Sequence, residues 1–344
     1  MIYPEFIKKG DVAGITAVSD GVSDELDKKR FYNGQNNFRE KCIDVLFTDN
    51  VFRTEQYGKS SSGEERWKQY KELLENKDVT CIISAKGGNF LNEMMKYVQY
   101  DVIRDNPKWF QGYSDNTWLV NSITTKCDIA TIYGNNYGDF GMNNWHPSVT
   151  ANYEILSGRR KTQDSFDMYQ DGFRERITGL EGYVDEKESI WKCVYPGEDK
   201  VHTGSVSMRG RMLGGCLDVL MSIHGTKYDN VNAFIQKYKD DGIIWYMETF
   251  ASDSENLMMN LWKLKESGWF MHTKGIVLGR PLFFTNGLFE TYEETVLYIM
   301  KELNIPIIFD SDIGHKGPRM TIVNGAVATV SCDNGKGHIS YEYV

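Results

Sequence analysis

The strongest constraint on the fold is the alternation of short apolar runs with longer amphipathic runs over the first 134 residues. The run EERWKQYKELLENK places Trp67, Tyr70, Leu73 and Leu74 at helical spacing, which predicts an amphipathic helix. Runs rich in β-branched and other apolar residues predict strands: VAGITAVS (12–19), VTCIISA (79–85), WFQGYS (109–114) and IATIYG (129–134). Strands that alternate with helices build a parallel sheet covered on both faces. We therefore expect residues 1–150 to form an open parallel-sheet α/β domain of the Rossmann or flavodoxin-like type.

The second half of the chain has many short strand candidates with a few helices between them. Residues 151–185 are polar and form the predicted connection between two domains. Residues 186–344 end on antiparallel candidates such as MTIVNGAVATVSC at 320–332. We expect a C-terminal mixed α/β domain there, with a β-rich, swivelling-type barrel.

Charge and composition exclude several classes of function. The 344 residues carry a net charge of −9, whereas a surface that binds a nucleic acid polymer is usually basic. The sequence contains no run of about 18 apolar residues, so no membrane span is predicted. The first twenty residues lack the pattern of a signal peptide, and the six cysteines form no CxxC pair, so we expect reduced thiols in a cytoplasmic protein.

The stretch GYSDNTWLV at 112–120 places Ser114 between a predicted strand and a predicted helix. Two interpretations fit this position. Ser114 can be a nucleophile held above the sheet, with the first amides of the helix stabilising an oxyanion. It can equally be a helix cap, since Ser and Asp are common there. The stretch is not a GxSxG elbow, because Tyr113 and Asp115 flank the serine.

Gly87 and Gly88 follow the strand at 79–85 and precede a helical run. Ligands of open parallel sheets bind at the carboxyl ends of the strands, so we expect this loop to lie beside Ser114. A glycine pair lets a backbone amide approach a substrate oxygen closely, but on local grounds a tight turn or an anion-binding helix start is the simpler explanation of the pair. The third glycine of a dinucleotide-binding fingerprint is missing and no P-loop is present, so no cofactor is predicted.

His315 and Glu248 are the other candidates for chemistry. His315 lies in the glycine-flanked loop DSDIGHKGP, where it can be a general base or a solvated side chain. Glu248 is the one carboxylate in the apolar run IIWYMETF, where it can orient a histidine or pair with an arginine. No metal site is predicted, because no two histidines have the spacing of zinc ligands.

Together these motifs resemble the serine LD-carboxypeptidase family, including its microcin C7 self-immunity branch. The resemblance covers nearly the whole chain in the correct order. It rests on GDVAGITAVS near the start, the block from SSGEERWKQY to GYSDNTWL (61–119), GRMLGGCLDVLMSIHGTKY (210–228), WYMETF (245–250) and FDSDIGHKGPRMTIVNGA (309–326). Each motif is weak alone, whereas five in order are specific.

The resemblance implies a serine peptidase with a Ser114–Glu248–His315 triad in a cleft between two domains. In such a triad His315 takes the proton of Ser114, Glu248 fixes the imidazole, and Ser114 attacks the carbonyl. The backbone amides of Asp115 and of the Gly87–Gly88 loop are the implied oxyanion hole. Family members are commonly dimers, so we also expect a homodimer.

The implied substrate is a small peptide or a peptidyl- or aminoacyl-nucleotide. The sequence of the central block (61–119) and the long connection between the domains favour the immunity-type branch. That branch cleaves an amide between an aminoacyl or peptide part and a nucleotide. Trp191 is then a candidate stacking ring, with core packing as the alternative, and Tyr113 and Asn89 are further candidate substrate-binding residues. One alternative function is a murein tetrapeptide carboxypeptidase that releases D-alanine. Another is a non-catalytic homologue that binds a peptide or a nucleotide.

Overall fold

The computed structural model describes all residues from Met1 to Val344, and the chain divides into two compact units. Each unit gathers segments that are separated in sequence. The first unit comprises Met1–Arg160, Arg174–Tyr183 and Thr321–Asn324, and the second comprises Lys161–Phe173, Val184–Met320 and Gly325–Val344. None of the helices has the length and the apolar character needed to cross a membrane.

The first unit contains a six-stranded sheet in which five strands run parallel. Its strands are β1 (Val12–Thr16), β2 (Asp44–Phe47), β3 (Val79–Ser84), β4 (Trp109–Gly112), β5 (Thr131–Tyr133) and β16 (Ile322–Asn324). The order across the sheet is β16-β5-β4-β3-β1-β2, with β16 antiparallel to β5. The open parallel sheet expected from the alternating pattern is therefore confirmed.

Six α-helices belong to the first unit: α1 (Glu25–Arg39), α2 (Gly63–Glu75), α3 (Leu91–Met95), α4 (Tyr100–Asp105), α5 (Thr117–Cys127) and α6 (Pro147–Leu156). Helix α2 buries the predicted stripe of Trp67, Tyr70, Leu73 and Leu74. The helix begins where the hydroxyl of Ser62 accepts a hydrogen bond from the amide of Glu65, which satisfies a donor that the first turn leaves open.

The second unit contains an eight-stranded mixed sheet in the order β6-β18-β17-β10-β11-β13-β15-β9. Its strands are β6 (Thr162–Asp164), β9 (Lys192–Val194), β10 (Ser205–Cys216), β11 (Ile243–Glu248), β13 (Thr273–Gly279), β15 (Ile307–Ser311), β17 (Val327–Asp333) and β18 (Lys336–Glu342). Strands β10, β11, β13 and β15 run parallel, and the remaining neighbours pair antiparallel.

The remaining elements of the second unit are four helices and two small sheets. They are α7 (Leu217–Ile223), α8 (Val231–Lys237), α9 (Ser254–Glu266), α10 (Tyr292–Met300), and the pairs β7 (Met168–Tyr169) with β8 (Lys187–Glu188) and β12 (Ala251–Asp253) with β14 (Phe283–Thr285). The mixed α/β class is confirmed, but the swivelling-type barrel is corrected to an open sheet. The edge strands β6 and β9 pair with one neighbour each and not with each other, so the sheet is not closed.

Candidate active site

Ser114 lies in the turn that leads from β4 into helix α5, in the first unit. Its φ angle is 65°, in the left-handed region that a non-glycine residue seldom adopts. The N-cap position of α5 is occupied by Asn116, and the carbonyl of Ser114 accepts a hydrogen bond of 2.7 Å from the hydroxyl of Thr117. Ser114 is therefore not the N-cap residue of α5. A strained serine between strand and helix has the geometry of a nucleophile elbow.

Gly87 lies directly against Ser114. A Cβ atom added to Gly87 would stand 3.1 Å from Cβ and 3.2 Å from Oγ of Ser114, so the backbone of the glycine loop approaches the hydroxyl closely. Asn89 is exposed on the same loop, while Tyr113 is half-buried. The first unit thus brings together the sequence-predicted residues Gly87 and Ser114, as expected for loops at the carboxyl ends of β3 and β4.

Asn116 links the glycine loop to the serine turn, a role that no sequence pattern indicated. Its side-chain amide donates to the carbonyl of Lys86 at 3.1 Å and to the carbonyl of Tyr113 at 3.0 Å. These carbonyls belong to the residues just before Gly87 and Ser114. Because one buried side chain holds both segments, the spacing between the glycine loop and the serine is fixed.

The side chain of Asp115 forms hydrogen bonds within the first unit. The buried carboxylate accepts a hydrogen bond of 2.5 Å from the hydroxyl of Ser19 and one of 2.9 Å from the amide of Leu91. Burial raises the pKa of Asp115, and these two hydrogen bonds oppose the rise. The carboxylate therefore holds the first helix turn after the serine against the start of helix α3.

Arg66 on helix α2 anchors the far end of the glycine loop. Its buried guanidinium donates to the carbonyls of Val18 at 3.1 Å and Phe90 at 2.9 Å, and it pairs with Glu93 at 3.2 Å. Burial lowers the pKa of Arg66, while Glu93 opposes this change. Arg66 thus ties the end of the glycine loop at Phe90 to the segment that follows β1 at Val18.

His315 and Glu248 form a buried pair in the second unit. Nδ1 of His315 lies 2.8 Å from Oε2 of Glu248, and the two residues are 5% and 0% exposed. Glu248 ends strand β11, and His315 follows strand β15. With the carboxylate ionised, Nδ1 carries the proton and Nε2 is left as the basic nitrogen. The ring of Phe250 packs on the imidazole with centroids 4.8 Å apart, which fixes the plane of the ring.

Two glycines make room for Glu248. A Cβ atom on Gly314 would stand 2.7 Å from Cβ of Glu248, and one on Gly279 would stand 3.0 Å from the same atom. Gly314 also has a φ angle of 107°, which favours glycine. The loop that carries His315 can therefore pass close to the end of β11 only because residue 314 has no side chain.

A buried polar network is centred on Asp312, three residues before His315 in the same loop. Asp312 accepts hydrogen bonds from Arg280 at 2.6 Å, from Ser189 at 3.0 Å and from the indole nitrogen of Trp191 at 3.0 Å. Of the two interpretations of Trp191, a stacking ring and a core side chain, the structure shows the second, because the residue is 0% exposed. Its ring also fills the space above Gly337, where a Cβ atom would overlap it.

Cys216 lies beside Glu248 as its partner in the parallel ladder of β10 and β11. Burial raises the pKa of the Cys216 thiol well above its ordinary value, and the neighbouring Glu248 adds to the rise. The thiol is therefore protonated at neutral pH and is a poor nucleophile. Within the whole chain, no group of three or more His, Cys, Asp or Glu side chains is arranged to hold a metal ion.

Two family models match this chain, one in each half. Residues 13–134 match the LD-carboxypeptidase N-terminal domain, and residues 209–330 match the LD-carboxypeptidase C-terminal domain. The chain belongs to the LD-carboxypeptidase family. The family resemblance carried by the five motifs is thereby confirmed, and with it a place among peptidases.

Curated relatives extend over almost the whole chain. The microcin C7 self-immunity protein MccF of Escherichia coli is 26% identical over 97% of this chain and 94% of its own length. A putative carboxypeptidase of Vibrio cholerae is 25% identical over 97% and 96% of the two chains. A probable murein peptide carboxypeptidase of Bacillus subtilis is 22% identical over 95% and 91%.

Solved structures of this family share the fold. An MccF-like protein from Bacillus anthracis aligns over 99% of both chains with a TM-score of 0.81 and 24% identity. MccF in complex with aspartyl sulfamoyl adenosine aligns over 100% of both chains with a TM-score of 0.79 and 23% identity. At these identities the likeness shows a shared fold.

Proposed function

We propose that this chain is a serine peptidase that hydrolyses an amide bond through Ser114, His315 and Glu248. The observation that carries the proposal is the buried hydrogen bond of 2.8 Å between His315 and Glu248. A carboxylate on Nδ1 is what a histidine needs to act as a general base through Nε2. The positive φ angle of Ser114 at the carboxyl end of a parallel strand supports its role as the nucleophile.

The proposed reaction has two steps. His315 takes the proton of Ser114 as the hydroxyl attacks the carbonyl, and the imidazolium is stabilised by Glu248. The imidazolium then donates the proton to the leaving amine, and water hydrolyses the acyl-enzyme with the same histidine as base. Backbone amides of Asp115 and of the Gly87–Gly88 loop, with Gly88 as the principal donor, stabilise the oxyanion.

We further propose a peptidyl- or aminoacyl-nucleotide as the substrate, with its amide cleaved between the acyl part and the nucleotide. The 26% identity to the microcin C7 self-immunity protein and the fold shared with its complex of aspartyl sulfamoyl adenosine support this choice. Tyr113 and Asn89 are the proposed contacts of the substrate in the first unit. A burial of 0% removes Trp191 as direct support for base stacking.

The second candidate function is release of D-alanine from a murein tetrapeptide, supported by the relative named as a murein peptide carboxypeptidase. A side-by-side assay of the two substrates separates these functions, with release of the nucleoside part and of D-alanine as the readouts. We expect turnover of the nucleotide conjugate by the wild type and none by Ser114→Ala. Binding without turnover of either substrate by the wild type would favour a non-catalytic homologue. Light scattering of the purified chain would test the proposed homodimer.

A further inference from the structure

Asp20 has a carboxylate packed against the glycine loop, and one of its oxygens has no partner. Oδ1 of Asp20 is buried and makes no hydrogen bond. A Cβ atom on Gly88 would overlap this oxygen, and one on Gly58 would stand 2.9 Å from Oδ2. The amide of Asp20 donates to the carbonyl of Gly87 at 3.2 Å, so the residue is tied to the loop through its backbone as well.

The cations around Asp20 are each paired with another acid. The ammonium of Lys86 lies 3.3 Å from Asp27, and that of Lys59 lies 3.3 Å from Glu93. Arg66 also pairs with Glu93. Positive charges therefore lie near Asp20, but their ion pairs are formed with Asp27 and Glu93.

An unpaired and partly buried carboxylate is a cost to the folded chain. Burial raises the pKa of Asp20; the charge of Lys86 opposes the rise, and the neighbouring Asp115 adds to it. A carboxylate that lacks a hydrogen-bond partner in the folded chain is typical of binding sites, where the ligand supplies the missing partner. The partner that satisfies a carboxylate best is a positively charged hydrogen-bond donor.

An aromatic side chain stands in the loop next to this carboxylate. Tyr57 precedes Gly58, is 70% exposed, and has a φ angle of 67° that is rare for an aromatic residue. Its ring lies 6.1 Å from that of Phe90, two residues beyond Gly88. A carboxylate and the face of an aromatic ring each attract an ammonium group.

We propose that Asp20 is a specificity-determining residue that binds a primary ammonium group on the acyl part of the substrate. The inference rests on the proposed function of Ser114 as the nucleophile. Gly87 contacts Ser114 and the next residue, Gly88, contacts Asp20, so the two side chains flank a single peptide unit. This spacing suits an amino group that lies a few bonds from the scissile carbonyl, as the α-amino group of an aminoacyl part does.

Paired ligands test this assignment directly. The probes are aspartyl sulfamoyl adenosine and a murein tetrapeptide, each with its amino groups free and each N-acetylated. Calorimetry would measure the dissociation constants of these probes on the Ser114→Ala chain, with and without Asp20→Asn. Asp44→Asn is the matched control, because Asp44 is an exposed acid of the same unit with no ion pair. The rate of hydrolysis of the same probes would also be measured for Asp20→Asn and Asp44→Asn in chains that retain Ser114.

We expect Asp20→Asn to weaken binding of the free-amine probe by about tenfold or more and to leave the N-acetyl form unchanged. Asp44→Asn should change neither constant. We also expect Asp20→Asn to melt no lower than the wild type, whereas a structural role would lower its Tm. The same free-amine preference in the Ser114→Ala chain with and without Asp20→Asn, or no binding of any free-amine probe, would overturn the proposal. If binding follows the expectation but the wild type hydrolyses no probe, the amine subsite stands and the proposed peptidase function fails.

Discussion

Nδ1 of His315 lies 2.8 Å from Oε2 of Glu248, and neither residue exposes more than 5% of its surface. A buried histidine whose Nδ1–H donates a hydrogen bond to a carboxylate keeps one tautomer and one orientation. Both residues of the pair belong to the second unit.

Glu248→Gln should disable the base without removing the nucleophile. A glutamine cannot stabilise the imidazolium, and its amide favours the wrong tautomer of His315. We expect kcat to fall by about 10³- to 10⁴-fold with a small change in KM. Steady-state kinetics with the hydrolysed substrate would measure both constants. A kcat that stays near the wild-type value would show that Glu248 has no part in the reaction.

Gly314→Ala should disturb the same pair by steric contact. The new methyl would stand 2.7 Å from Cβ of Glu248, so either the loop or the carboxylate must move. The matched control is Gly225→Ala, which has a positive φ angle of 73° but no atom within 4 Å of its added Cβ. Both variants bear backbone strain, because alanine seldom adopts a positive φ angle. Only Gly314→Ala should also lose activity. The kcat and the Tm of both variants would be measured. Equal activity of the two variants would contradict the proposed steric contact between residue 314 and Glu248.

Asp20→Asn should stabilise the protein at neutral pH. The pKa of Asp20 is raised above its ordinary value of 3.8 in the folded state, so the folded chain holds this proton more tightly than the unfolded chain. Its contribution to the free energy of unfolding is therefore largest at low pH and falls as the pH rises through the raised pKa. The Tm gain of Asp20→Asn over the wild type should be largest at pH 7 and shrink towards pH 4, with Asp44→Asn as control. A gain that grows on acidification would contradict the raised pKa.

Trp191→Phe should weaken the fold without choosing between substrates. The variant loses the hydrogen bond of 3.0 Å to Asp312 and leaves a buried carboxylate with one donor fewer. We expect a loss of about 1–3 kcal/mol in the free energy of unfolding. Any loss of kcat/KM should be equal for a nucleotide conjugate and a murein tetrapeptide. A loss confined to the nucleotide conjugate would return Trp191 to the base-stacking role.

The sequence predicted the parallel sheet because buried strands and amphipathic helices carry local patterns, as in 79–85 and the stripe of α2. It could not predict whether the second sheet closes, because closure depends on whether two edge strands distant in sequence pair. The burial of Trp191 was equally hidden, since an aromatic residue beside a strand suits a core and a ligand platform alike.

The candidate site shows the same division. Ser114 and the Gly87–Gly88 loop were predicted neighbours because parallel strands end at one edge of a sheet. The partner of Glu248 came from the family resemblance, since a separation of 67 residues in sequence carries no physical signal. Asn116 was missed because its role lies in hydrogen bonds to two backbone carbonyls, which only the folded chain brings within reach.

Covalent labelling tests the proposal that Ser114 is a nucleophile activated by the His315–Glu248 pair, and it does so without knowledge of the substrate. An organophosphonate probe for serine hydrolases would be added to the wild type, to Ser114→Ala and to His315→Ala, and the modified residue would be identified by mass spectrometry. We predict one adduct per chain on Ser114 of the wild type, none on Ser114→Ala, and strongly slowed labelling of His315→Ala. Labelling of Ser114 at the same rate with and without His315, or no adduct on the folded wild type, would contradict the claim.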